Sequence, residues 1–170
     1  MNGNELKNID ANKATMRESI IDFESLIRTQ PGATTGDSEN CPLEHSFTDG
    51  IYVRQISIPK GMYIVGKIHK HSHPNFLLKG TVEVVTEEGH LFLEGPCSMI
   101  SPAGTKRALY THTDVVWTTI HHNPTNTQDL DKLEEIVIAD SYEKYESFKK
   151  LGSNKAISVW NKILKKLIIS

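Results

Sequence analysis

Gly66-Lys67-Ile68-His69-Lys70-His71-Ser72-His73-Pro74 places three of the chain's eight histidines at strict alternation. On a β-strand successive side chains face opposite sides, so His69, His71 and His73 would project from one face. Imidazole is the commonest protein ligand for transition metals, and three convergent imidazoles read as a metal site. Alternating His and Lys also suits the polar outer face of an edge strand, where charge opposes aggregation. The flanks favour the metal. Met62, Ile64 and Ile68 sit at or before the run, and Phe76, Leu77 and Leu78 follow it. The segment therefore belongs to a packed sheet, where buried imidazoles need partners.

Outward from this run, the pattern between Phe47 and His122 is one of short strands separated by turns. Tyr52–Ile58 leads into the turn Pro59-Lys60-Gly61, and Tyr63–His71 follows as one strand. Asn75–Leu78 runs to a break at Gly80, and Thr81–Thr86 continues beyond it. Glu87-Glu88-Gly89 then forms a hairpin turn into His90–Leu93. Ser98–Ile100, Lys106–Tyr110 and Val115–His121 complete about eight strands, a number and spacing that suit a closed barrel or jelly roll.

Helical periodicity flanks the strands on both sides. Met16, Ile20, Phe23 and Ile27 predict an amphipathic helix over residues 12–29, stopped by Pro31-Gly32. Ala33 to Asn40 reads as an exposed loop. Thr127 is placed to cap a helix through Leu130, Leu133 and Val137, with Asp129 and Asp131 in its first turn. Asp140-Ser141-Tyr142-Glu143 has the spacing of a second capping box, with Gly152 ending that helix. Ala156–Ile169 reads as a separate basic helix, with Trp160, Ile163, Leu164 and Leu167 on one side and Lys162, Lys165 and Lys166 on the other. Such a helix docks on its own barrel, a second subunit, a partner groove or an anionic membrane, the first two being the plainer readings. The expected organisation is an N-terminal helix and loop (1–40), a barrel (41–124) and a C-terminal helical extension (125–170).

A net charge of −2 provides no global field to recruit nucleic acid, and none is expected as a partner. Two cysteines, Cys41 and Cys97, fit a reducing compartment without a disulfide. Cys41-x3-His45 has metal-like spacing but loop neighbours, and a packed thiol is the plainer reading. The polar first ten residues lack the apolar core of a secretion signal, so the expected location is cytoplasmic. No Ser-His-Asp elbow, phosphate-binding glycine loop or Cys-x-x-Cys is present, which disfavours those enzyme classes.

The histidines, Pro74 and the hydrophobic run ending in Gly80 resemble the first conserved motif of the cupin superfamily: Gly, five residues, His-x-His, three or four residues, Glu, six residues, Gly. Gly95 to Arg107 partly echoes the second, with Pro102-Ala103-Gly104 supplying its Pro-x-Gly turn. Beyond these motifs, the chain resembles small cupin-like proteins of tailed bacteriophages. The stretches concerned are Asn40-Cys41-Pro42, Gly50-Ile51-Tyr52-Val53-Arg54, Gly66-Lys67-Ile68-His69, Ser101-Pro102-Ala103-Gly104-Thr105-Lys106-Arg107 and Asp114-Val115-Val116-Trp117-Thr118-Thr119-Ile120-His121. The resemblance implies a mainly β fold, a single cupin barrel (double-stranded β-helix, jelly roll) with N- and C-terminal α-helices. If the protein is phage-encoded, its place is the host cytoplasm or the virion.

Two departures bear on chemistry. Counting back seven from Gly80 lands on His73 where the family pattern has Glu, so His73 stands in for the carboxylate. Arg107 occupies the second-motif histidine position, and a guanidinium cannot ligate a metal. An inward Arg107 would instead grip a carboxylate or phosphate, or pair with a buried Glu. His121, at the end of the Val115–Trp117–Thr119–His121 face, is the candidate fourth ligand. His112 and His122 lie on the opposite parity, and His90 beside the hairpin reads as solvated. Tyr52, Tyr63 and Tyr110 each offer a hydroxyl, with nothing to choose between them.

The expected cofactor is a divalent transition metal (Fe, Ni, Mn, Zn or Cu) with open coordination positions. The sequence thus predicts a metal-binding cupin, either a metal-dependent oxygenase, isomerase or lyase acting on a small anionic molecule, or a non-enzymatic ligand-binding or virion-associated protein. A homo-oligomer is expected under both, with the C-terminal helix as a candidate contact with a subunit or partner.

Overall fold

Alternating burial along the strands builds the barrel. The computed structural model describes residues 3–34 and 37–168, and side chains from 11 to 162 within those ranges. The elements run in chain order α1 (Gly3–Arg28), β1 (Leu43–Thr48), β2 (Ile51–Ile58), β3 (Tyr63–Val65), β4 (Ile68–His69), β5 (His73–Lys79) and β6 (Thr81–Thr86). They continue with β7 (Gly89–Glu94), β8 (Cys97–Ser101), β9 (Ala108–Thr111), β10 (Val115–His122), α2 (Leu130–Val137), β11 (Ile138–Ala139) and α3 (Tyr142–Ile168). Strand β10 buries Val115, Trp117, Thr119 and His121 and turns the residues between them outward, the period-two pattern of a strand with one face on the core.

Two antiparallel sheets face one another, in the orders β1-β2-β10-β5-β8 and β3-β9-β6-β7. The chain crosses between them from β2 to β3, returns at β5, and crosses again at β6, β8, β9 and β10. That winding of eight strands is a jelly roll, the double-stranded β-helix, with β1 as an added edge. Ile58, Leu77, Val82, Val84, Leu109, Val115, Trp117 and Cys41 form the apolar cluster between the sheets. Cys41 is therefore a packed thiol.

Helix α1 lies on the outer face of the smaller sheet. Phe23 meets Tyr63 edge-on at 5.8 Å, Lys106 Nζ pairs with Glu24 at 2.9 Å, and Arg17 pairs with the buried Glu87 at 3.2 Å. Asp129, rather than Thr127, caps α2: its side chain accepts from Lys132 N, while Thr127 Oγ1 accepts from Asp129 N. Ser141 caps α3, its hydroxyl accepting from Lys144 N.

Helix α3 corrects the expectation of two C-terminal helices. It passes through Gly152 without a break. A mid-helix glycine costs about 1 kcal/mol relative to alanine, too little to stop a helix with good formers on both sides. Tyr142, Tyr145 and Phe148 pack with Ile68 and Ala139 into a second apolar cluster. Farther along, Leu151, Ile157, Val159 and Trp160 are exposed. The side chains of Ile163, Leu164, Lys165, Lys166 and Leu167 lie outside the described residues, as do Thr35 and Gly36 of the predicted loop. No described helix is long and apolar enough to cross a membrane.

Candidate metal centre

The sequence expectation of one strand from Tyr63 to His71 is corrected here, and the correction decides which histidines meet. The chain runs as β3, then β4, and turns through Lys70–Ser72 before β5 begins at His73. Strand alternation therefore does not carry across from His69 to His73. His71 sits at the turn, exposed, its ring edge-on to Phe148 at 5.3 Å. It does not join the cluster.

His69, His73 and His121 do come together, each offering a ligand atom within 4.8 Å of the others. Their ring centroids are 4.1 Å (His69–His73), 4.6 Å (His73–His121) and 4.9 Å (His69–His121) apart. His69 is delivered by the two-residue β4, pinned on both sides. Strand β11 pairs with it (Ile138↔His69), and its carbonyl accepts from Gly104 N at 2.8 Å.

Strand register arranges the barrel interior in rows. Leu43, Ile56, Trp117, Leu77 and Cys97 form an apolar row across β1, β2, β10, β5 and β8. One step along each strand lie His45, Arg54, Thr119, Asn75 and Met99. The next step brings Tyr52 opposite His121, and His73 opposite Ser101. Polar chemistry thus occupies one end of the barrel.

Asn75 is the hinge between the two zones. It is 1% exposed, and its Oδ1 accepts from Trp117 Nε1 at 3.0 Å and from Arg107 at 3.1 Å, while its Nδ2 donates to the His73 carbonyl at 3.1 Å. Arg107 also donates to Ser101 Oγ and lies over the Trp117 ring at 5.7 Å. It points inward, and its described partners are neutral; among the described residues the sequence alternative of a buried Glu partner is not realised. Arg54, in the middle row, makes no side-chain hydrogen bond or ion pair among the described residues. Tyr52 is the tyrosine at the site, its hydroxyl 2.7 Å from His45 Nδ1. Tyr63 is exposed on the outer face beside Tyr110.

Burial holds all three imidazoles below their ordinary range. It is the main cause for His73, held at about 4, and for His121, held at about 3, with the Arg107 charge adding to both and Arg54 to His121. His69 is pushed lower still by desolvation, its two imidazole neighbours and both guanidiniums. Neutral imidazole is the ligating form. His73 Nδ1 lies 3.2 Å from the His71 carbonyl, which can only accept, so that nitrogen carries the proton and Nε2 keeps its lone pair. Nε2 of His73 is buried without a partner, as is Nδ1 of His69. Orphaned buried nitrogens are costly unless something binds them. The donor set, three neutral imidazoles without a carboxylate, fits a divalent transition metal.

Three further histidines lie elsewhere. His90 and His112 flank Glu83 on the outer face of the smaller sheet, at 3.8 Å and 3.4 Å, and His122 is exposed at the end of β10. Sequence reasoning missed Arg54 and Asn75. An isolated Arg in a strand carries no signal of facing inward, but the parity it shares with Tyr52, Ile56 and Ile58 does place it on the core face.

No family model matches this chain, and no curated protein does. Solved structures are similar to it over part of the chain. Ectoine synthase from P. lautus has a TM-score of 0.48 at 12% identity, over 58% of this chain and 75% of that one. The Cnp3 cupin domain of Schizosaccharomyces pombe has a TM-score of 0.44 at 14% identity, over 60% and 75% respectively. The DMSP lyase DddQ of Ruegeria pomeroyi has a TM-score of 0.45 at 16% identity, over 56% of this chain and 54% of that one. Likenesses this distant transfer no activity, so function must be read from the site.

Proposed function

We propose that this protein is a metal-binding cupin that holds a divalent transition metal on His69, His73 and His121, and acts on a small anionic molecule engaged by Arg107. The observation that carries this reading is the site's charge balance. Three neutral imidazoles, two of them with a buried nitrogen that has no partner among the described residues and the third with Nε2 3.0 Å from Thr119 Oγ1, stand beside a guanidinium whose described partners, Asn75 and Ser101, are uncharged. A half-buried cation with no acid among its described partners favours an anionic ligand.

A metal held there supplies Lewis acidity to a ligand oxygen, with positions left open by a three-imidazole set. The chain's own residues do the rest. Arg107, held by Asn75 and Ser101, fixes the direction of an anionic group, and the apolar row beneath excludes water from one side. Oxygenase, isomerase and lyase chemistries all fit such a site.

The test is the metal content of protein made without a histidine tag, wild type against His69→Ala/His73→Ala. Near-stoichiometric transition metal, lost in the double variant, supports the reading. A wild type that is metal-free and cannot be reconstituted overturns it.

A second reading has its own observation. Beyond Phe148, α3 presents Leu151, Ile157, Val159 and Trp160 to solvent, with Trp160 58% exposed. On that reading the protein is a cytoplasmic or virion-associated phage component that assembles as a homo-oligomer through this helix, with the histidines holding a structural ion. Trp160→Asp then reduces the size in solution, and an unchanged size removes this contact.

A further inference from the structure

We infer that the site takes a ligand with two separated anionic groups, a short dicarboxylate, held between Arg107 on one side of the imidazoles and Arg54 on the other. This rests on the metal-and-anion reading above and adds a second cation to it.

The placement comes from register. Arg54 lies opposite Thr119 on β10, and Thr119 lies opposite Asn75 on β5, the residue that receives Arg107. Arg107's other partner, Ser101, is one strand farther, on β8. The Arg54 backbone and the two residues that hold the Arg107 guanidinium therefore stand two to three strands apart, on the order of 10–14 Å at the usual strand spacing, with His121 on the strand between. One carboxylate or phosphate accepts one fork of donors well, whereas two forks on opposite sides match two groups joined by a short chain.

Neither cation has an acid to neutralise it among the described residues. Arg107 is held by an amide and a hydroxyl. Besides the Tyr52 phenol, the acids whose charge reaches Arg54 are the carboxylates of Glu134 and Asp37. Glu134 is paired with Lys67, and Asp37 Oδ1 accepts from Leu43 N at 2.9 Å. A monoanion on Arg107 leaves Arg54 half-buried and bare, and a dianion satisfies both.

The test is calorimetric titration of the full chain, loaded with Zn²⁺, with malonate, succinate and glutarate, against acetate and inorganic phosphate. The best dicarboxylate should bind at least about tenfold tighter than acetate or phosphate. Arg54→Gln should erase that gap while leaving acetate within about twofold, and Arg107→Gln should weaken both classes. If Arg54→Gln does not fold, Arg54→Lys, which keeps the charge but loses the fork, should narrow the gap. A wild type that binds acetate or phosphate as well as any dicarboxylate overturns the inference, as does a gap that survives at Arg54. If Zn²⁺ does not bind, the titration is run on the metal-free chain. A gap there that is lost on Arg54→Gln keeps the two-arginine site and removes the metal reading, and no gap removes both.

Discussion

The two ends of the barrel interior are built from the same strands and differ by one or two steps of register. At one end Ile56, Trp117, Leu77 and Cys97 meet Val82, Val84 and Leu109 from the facing sheet. At the other end the same β2, β10, β5 and β8 present Tyr52, Arg54, Thr119, His121, His73, Asn75 and Ser101. The apolar end stabilises by removing hydrocarbon from water, about 25 cal/mol per Å². The polar end holds two half-buried cations and several buried hydrogen-bonding groups at a cost. A fold tolerates such a zone where function requires it, and the contrast assigns stability to one end and chemistry to the other.

The largest test of that division is Trp117→Ala, which empties the centre of the apolar row. It should lower unfolding free energy in urea by about 3–5 kcal/mol. A loss below about 1 kcal/mol would break the comparison. On the polar side, His73→Ala should weaken metal binding by about 100-fold or more, beyond the 10–100-fold typical of outer-shell changes. Urea stability of the metal-free protein should fall by about 1–2 kcal/mol, because the ring gives up its packing and its Nδ1 bond to the His71 carbonyl while its Nε2 is unpartnered among the described residues.

A third test uses pH. In the folded metal-free chain His73 and His121 are held at about 4 and about 3, while the unfolded chain protonates near 6.5. Between these values the unfolded state binds more protons, so stability is full above about 6.5 and falls as pH drops toward 4. Melting temperatures of wild type and His121→Asn should converge as the pH falls through that window, and parallel curves would refute the burial of these rings. The smallest effect should come from Ile56→Val at the rim of the apolar row, about 0.5–1.5 kcal/mol with unchanged metal affinity. A loss of metal there would show that the two ends are coupled.

The roll itself was legible because β5, β6 and β10 alternate cleanly and short turns separate them. His69, His73 and His121 were also readable, but by an argument only partly right. Alternation assumed a continuous strand, whereas Lys70–Ser72 turns the chain and leaves His71 outside. Strand β1 escaped because Glu44, Ser46 and Thr48 leave only Leu43, His45 and Phe47 on its inner face, a weak apolar signal. Strand β11 is two residues long, and no local pattern announces a pairing across some seventy positions of sequence. Arg54 faces inward for a tertiary reason, a site that holds charge, which propensity cannot express.

The pairing of β4 with β11 has a consequence for biosynthesis. Ribosomes deliver the chain from its N-terminus, so all eight strands of the roll emerge before residues 138–139, which fasten His69 from the other side. The barrel can close early, while the third imidazole stays unfastened until the segment after it has been made. On the proposed metal reading the site is complete only once residues 138–139 have been made, and a released chain truncated after residue 125 should bind metal far more weakly than the chain of 170 residues.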